Sequence, residues 1–198
     1  MRDIKKLYSE IKQKQTEMDS YSKSSLSFEE YLYTVALLSG QKRGPRLEKR
    51  ITQELLATKI KASQDRGDFV KNHKYCEVKT CLYSAAEFEK SASSGGQIRL
   101  WQEVDYYLFC TLIETDLDIS AAFYLIPKKD LLKHCDNELK SQLTCSSHGT
   151  QSYSENNQHG NIDYIIKSRI EIGLDLRRNL FNWDIYRINS IEELKAFF

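Results

Sequence analysis

GDFVKNHKYCEVKT, residues 67–80, is the most informative stretch of this chain. FVK and the run HKYCEVKTCLYS are short, alternating and rich in β-formers, with the pair Asn72-His73 between them. This pattern predicts a β-hairpin. Alternate residues of a strand face opposite ways, so Glu77 and Lys79 point together while Cys76, Val78 and Thr80 point towards a core. Asp68 opens the first strand. If the hairpin closes Asp68 on Glu77, two carboxylates and one ammonium converge. That trio suits phosphodiester hydrolysis. Hard carboxylate oxygens take Mg²⁺, which keeps several of its waters, and the metal holds a phosphate and acidifies a water. A lysine beside them orients the attacking water and offsets charge developing on the phosphate. The plainer reading of the same residues is an ion pair on a solvent-facing sheet, worth under about 1 kcal/mol.

Working outward, the preceding chain reads as helical. Ile4, Leu7, Ile11, Met18 and Tyr21 recur at helical spacing over residues 3–21. Ser27 and Glu30 form a capping box for FEEYLYTVALLSG, with Gly40 as its expected end. KRGPR reads as a basic turn, and Pro45 suits the first turn of RLEKRITQELLATKI, whose Leu47, Ile51 and Leu55 share a face. On the other side of the hairpin, SASSGGQ reads as a loop, and WQEVDYYLFCTLI and ISAAFYLIP are strongly apolar runs. KKDLLKHCDNELKSQL reads as a helix, residues 144–161 as a long polar loop, IDYIIKSRIEIG as strand-like, and Ser190 with Glu193 caps a last short helix. Helices, a hairpin, then strands mixed with helices predict an α/β domain: a mixed β-sheet flanked by α-helices. One domain is expected over 1–198, with a helical part at 1–40, a core at 41–170 and an extension at 171–198.

Two prolines and eight glycines argue against long disordered linkers. The charged N-terminal segment MRDIKKLYSEIKQKQ reads as neither a signal nor a transit peptide, and no apolar run reaches membrane-spanning length. Five irregularly spaced cysteines do not suggest a disulfide framework, so a reducing cytoplasm is expected. Neither His134 with Cys135 nor His148 with His159 has the spacing of a closed zinc site. Formal net charge is only +1, yet residues 41–80 hold eleven Lys/Arg against five Asp/Glu. Such asymmetry predicts a basic face able to meet a phosphate backbone, although scattered lysines on a solvated helix would give the same count.

The segment RGDF, a short gap and CEVKTCLYS resembles the PD-(D/E)xK signature of restriction-endonuclease-like nucleases, and specifically of type II restriction endonucleases. The resemblance spans roughly residues 42–170 and includes the acid- and base-rich helix before the motif. The segment QIRLWQEVDYYLFCTLI, strand FYLIP, helix KKDLLKHC and a polar stretch follow it. Gly67 stands where the family often has proline. The resemblance implies a restriction-endonuclease-like mixed sheet with Asp68 and Glu77 as Mg²⁺ ligands and Lys79 as the catalytic lysine. Glu48 or Glu54 would be an auxiliary carboxylate. Glu48 is preferred, since Leu47 and Ile51 bury the neighbouring face, although either can be a helix-surface residue. Gln102 with Tyr106 fits a Q-x-x-x-Y pattern of some members, and Gln97 competes for that place.

For duplex DNA as partner, Lys42, Arg43 and Arg46, with Lys49 and Arg50 after them, are candidate phosphate contacts. Arg99, beside Trp101, and Gln102 lie near the Ser/Gly segment. Ser147, His148, Thr150, Asn156 and Asn157 of the polar stretch are candidates for base reading. The expected activity is Mg²⁺-dependent, sequence-specific cleavage by a homodimer, since a two-fold dimer matches a palindromic site. Residues 3–21 and 27–39 are candidate dimer surfaces, and a DNA methyltransferase would be a genetic partner. Two alternatives are a structure-selective DNA nuclease of resolvase or repair type, and a non-catalytic nucleic-acid-binding module.

Overall fold

A computed structural model of the chain describes residues 13, 26–61, 66–99, 103–131, 145–147, 171–177 and 183–198. The expected helix over residues 3–21 apart from residue 13, the body of the polar stretch, and His134, Cys135, His148 and His159 lie outside them.

Helix α1 (Phe28–Ala36) starts as its sequence predicts. Ser27 Oγ accepts from the Glu30 amide, and the Glu30 carboxylate accepts from the Ser27 amide. Its end differs from expectation. The last helical residue is Ala36, and Gly40 opens the next helix instead of closing this one. The physical reason is Arg43, whose guanidinium donates to the carbonyls of Val35, Ala36 and Leu38 at 2.6–3.4 Å. A side chain thus satisfies carbonyls that a C-terminal glycine turn would otherwise serve. Helix α2 (Gly40–Glu54) therefore includes the segment expected to be a turn, and Pro45 lies inside it, beyond its first turn. α2 crosses close over the sheet at Gly44, where a Cβ would sit 3.3 Å from Thr80 Oγ1.

The strands are β1 (Thr58–Lys59), β2 (Phe69–Lys71), β3 (Lys74–Ser84), β4 (Ser91–Arg99), β5 (Tyr106–Glu114) and β6 (Ile119–Pro127). They are followed by β7 (Cys145–Ser147), β8 (Glu171–Arg177) and β9 (Arg187–Ile188). Two more helices are α3 (Ala85–Lys90), after β3, and α4 (Ile191–Phe197), after β9. Six strands form one mixed sheet in the order β1-β2-β3-β5-β6-β9. β3 and β5 run parallel, joined by a crossover through α3 and β4, and the remaining neighbours are antiparallel. The segment SASSGGQ is strand and not the expected loop. It lies within β4, which joins β8 and β7 in a separate antiparallel sheet. Serine and glycine are poor strand formers alone, but a partner strand supplied from residues 171–177 overrides that preference.

One face of the six-stranded sheet carries Cys76, Val78, Leu108, Cys110, Leu112, Phe123 and Leu125. These pack with Phe28, Leu32 and Val35 of α1, Leu47 and Ile51 of α2, and Ile191 and Leu194 of α4. The opposite face is also buried, at Tyr107, Phe109, Thr111, Tyr124 and Ile126. Burial on both faces explains why β5 and β6 are continuously apolar and not alternating. β4 covers part of that second face, where Thr111 Oγ1 donates to the Ala92 carbonyl at 3.0 Å. Among the described residues, no helix is long and apolar enough to cross a membrane.

Candidate active site

The hairpin forms in the register that its turn dictates. Asn72 and His73 both adopt positive φ, 47° and 63°, and Lys71 pairs with Lys74 across them. Two successive left-handed residues between paired strands make a type I′ turn, whose twist suits a two-residue hairpin. The ladder continues through Val70 with Tyr75 and ends with Phe69 opposite Cys76, and Asp68 lies just beyond it, against Cys76 and Val78 of β3. The Asp68 amide donates to the Cys76 carbonyl at 2.8 Å. Its carboxylate accepts from the Val78 amide at 2.7 Å, between Glu77 and Lys79. Asp68 is half-buried, whereas the Glu77 residue is only 5% exposed. Lys79 Nζ lies 2.7 Å from Glu77 Oε1, with its side chain 19% exposed. The three chemically distinctive residues of the motif thus form one cluster, fixed by β2 and β3.

Gly67 shapes the entry to this cluster. Its φ is +86°, and a Cβ there would meet the Cys76 carbonyl oxygen at 2.7 Å. Proline, with φ near −65°, cannot take this backbone, so the glycine here has a steric cause. Gly67→Ala is expected to destabilise the fold by about 2 kcal/mol or more, because strain and a backbone clash coincide. Chemical denaturation measures this, and an unchanged midpoint would contradict the clash.

The cluster carries an excess of negative charge. Burial, then the charges of Glu77 and Glu48, push the Asp68 carboxyl up from 3.8 to about 7, against the opposing pull of the Val78 amide and Lys79. Glu48 projects from α2, and its carboxylate pairs with Lys59 of β1 at 2.9 Å. Glu54 is engaged elsewhere, 2.7 Å from Arg50 and 2.9 Å from Lys195. Of the two helix carboxylates, Glu48 is therefore the one that acts on Asp68. Among the described residues, no group of three or more His, Cys, Asp or Glu is placed to hold a metal ion. Two carboxylates remain sufficient for Mg²⁺, which binds through one or two of them and completes its shell with water and phosphate oxygens. A divalent cation between Asp68 and Glu77 would relieve the repulsion that raises the Asp68 pKa.

The basic segment is less available than its sequence implies. The Arg43 guanidinium caps α1. Arg50 is held by Glu54, by the Leu26 carbonyl at 2.5 Å and by the Tyr31 ring, with its guanidinium 5.2 Å from the ring centre. Arg46 is half-buried, while Lys42 and Lys49 are exposed. Arg43→Ala is expected to cost about 1–2 kcal/mol through unsatisfied carbonyls. A thermal melt showing no loss would return Arg43 to the phosphate contacts. Arg99 ends β4, and Gln97 lies within it. Tyr106 opens β5, and Ser147 ends β7. Trp101, Gln102, Thr150, Asn156 and Asn157 lie outside the described residues, as does His148.

Two features escaped the motif. Lys59 pairs with Glu48, which only the β1–α2 packing reveals. Cys81, two positions beyond Lys79 on the same face, has its sulfur 3.3 Å from both Ser93 Oγ and Thr111 Oγ1; strand alternation is the signal that could have found it. No known protein-family model matches the chain, and a search of curated proteins returns no match.

Proposed function

We propose that this protein is a Mg²⁺-dependent endodeoxyribonuclease of the restriction-endonuclease-like type, acting on duplex DNA as a site-specific homodimer. One observation carries the reading. The Asp68 carboxylate sits on the amide that separates Glu77 from Lys79, close enough to feel both charges, within a mixed sheet flanked by helices. An ion pair serving stability alone has no need of a second, electrostatically unfavourable carboxylate beside it. Asp68 and Glu77 would hold the metal, and Glu48 would add negative charge at its edge. Mg²⁺ bound there would supply Lewis-acid neutralisation of the scissile phosphate and a more acidic water. Lys79, held by Glu77, would orient the attacking water and set its positive charge against charge developing on the phosphate. Exposed Lys42 and Lys49 would meet the backbone, which fixes position and not sequence.

The test is incubation of the purified protein with plasmid DNA of mixed sequence and Mg²⁺, alongside EDTA. Discrete fragments that require the metal are expected. Cutting confined to branched substrates would transfer the same centre to a structure-selective nuclease. Salt-sensitive binding without cutting of either substrate, across pH and divalent metals, would leave a binding module and end the catalytic reading.

A further inference from the structure

The hairpin that carries the cluster has few bonds of its own. β2 has three residues and β1 two, so the ladder that holds Asp68 beside β3 is short, and a short two-stranded hairpin is marginal in water. The far end of the chain is packed against it. Phe198 is buried in the helical core, and its ring meets Phe69, the neighbour of Asp68, edge-on with centroids 5.5 Å apart. Its carbonyl accepts from Asn72 Nδ2 in the turn. Phe197 stands edge-on to Tyr106, 5.3 Å away, at the start of β5. The ammonium of Lys74, the first residue of β3, lies over the Phe197 ring at 4.4 Å, a favourable cation–π contact. α4 is anchored independently by buried Ile191 and Leu194 and by the Lys195–Glu54 pair at 2.9 Å.

We propose that Phe197 and Phe198 are positioning residues for the carboxylate pair: they clamp both strands and the turn of the β2–β3 hairpin, and so set the spacing of Asp68 and Glu77. The proposal rests on the reading of that pair as a metal site. The rings reach the residue after Asp68, the first residue of β3 and the first residue of β5, and the Phe198 carbonyl holds the turn. Ring packing thereby fixes the register at the point where the hydrogen-bonded ladder is shortest. A metal held by only two carboxylates is sensitive to their separation, as outer residues that orient ligands elsewhere are worth about 10–100-fold in metal affinity.

The experiment is a calorimetric titration of Mn²⁺ into the full chain, well below the melting temperature of each variant. Phe198→Ala is expected to weaken Mn²⁺ binding about tenfold with an unchanged far-ultraviolet circular dichroism spectrum. Phe198→Leu, which keeps most of the volume, should recover most of the affinity. A folded Phe198→Ala protein with wild-type Mn²⁺ affinity would overturn the clamp. If Phe198→Ala does not fold, Phe197→Ala decides by the same readout, since Phe197 is 40% exposed and tolerates truncation better. If the unaltered protein binds no Mn²⁺, or binds it equally well after Glu77→Gln, the metal-site reading itself fails and the clamp with it.

Discussion

Lys79→Ala should lower the rate of DNA cleavage by at least about 10²–10³-fold, the usual cost of removing one aimed charge-stabilising donor. Nζ is 2.7 Å from Glu77 Oε1, and Lys79 is paired with Phe109 in the long ladder between β3 and β5, so its position is set before any substrate arrives. The loss should fall on the chemical step. Binding of DNA in Ca²⁺, measured by fluorescence anisotropy, should change little, since one lysine among several basic residues adds only part of the backbone attraction. Lys79→Arg should not rescue cutting, because a planar guanidinium beside Glu77 cannot occupy the place of a compact ammonium. Cleavage by Lys79→Ala at the wild-type rate would remove the lysine from the mechanism. Equal losses in binding and cutting would make it a phosphate contact.

Asp68→Asn should abolish cutting and at the same time stabilise the metal-free protein at pH 8. Moving the carboxyl from 3.8 to about 7 corresponds to about 4 kcal/mol at full strength, and solvent access to this half-buried group reduces that to about 2 kcal/mol. Below about pH 4 the group is protonated in both folded and unfolded chains. Between about pH 4 and pH 7 the folded chain retains the proton and the unfolded chain releases it. Stability contributed by Asp68 is therefore present at low pH and lost as pH rises through the folded value. Asparagine still accepts from the Val78 amide but carries no charge, so urea denaturation should find the variant more stable at pH 8 and nearly unchanged at pH 4. Mg²⁺ should stabilise the wild type at pH 8 and not the variant. A variant less stable than wild type at pH 8 would mean that Asp68 is compensated by neighbours in the fold.

The elements legible in the sequence are those whose cause is local. Asn72-His73 between alternating runs led to the hairpin, and Ser27 with Glu30 and Ser190 with Glu193 led to two helix starts. The alternation of Cys76, Glu77, Val78 and Lys79 put the charged pair on one face. Ser84 and Glu87 carry the same capping signal for α3, at the point where the alternation of β3 ends. What was hidden depends on distant partners. β4 is a strand because residues 171–177 pair with it. Gly40 begins a helix because Arg43 closes the one before. Gly67 avoids proline because Cys76 stands in the way. The positive segment 41–80 has the counted charge, but folding spends two of its arginines on carbonyls, a carboxylate and an aromatic ring.

The parallel pairing of β3 with β5 has a consequence for the order of assembly. Cys76 lies opposite Tyr106 and Ser84 opposite Glu114, so the strand bearing Glu77 and Lys79 gains its second neighbour only after the chain has passed through α3 and β4. The β2–β3 hairpin can close on the microsecond scale typical of local turns, but a parallel pair must first bear the entropy of closing a long crossover. On the ribosome the hairpin therefore emerges well before β5, and the buried environment of Glu77 is completed late. The cluster proposed to cut DNA is thus a property of the finished sheet and not of the hairpin alone.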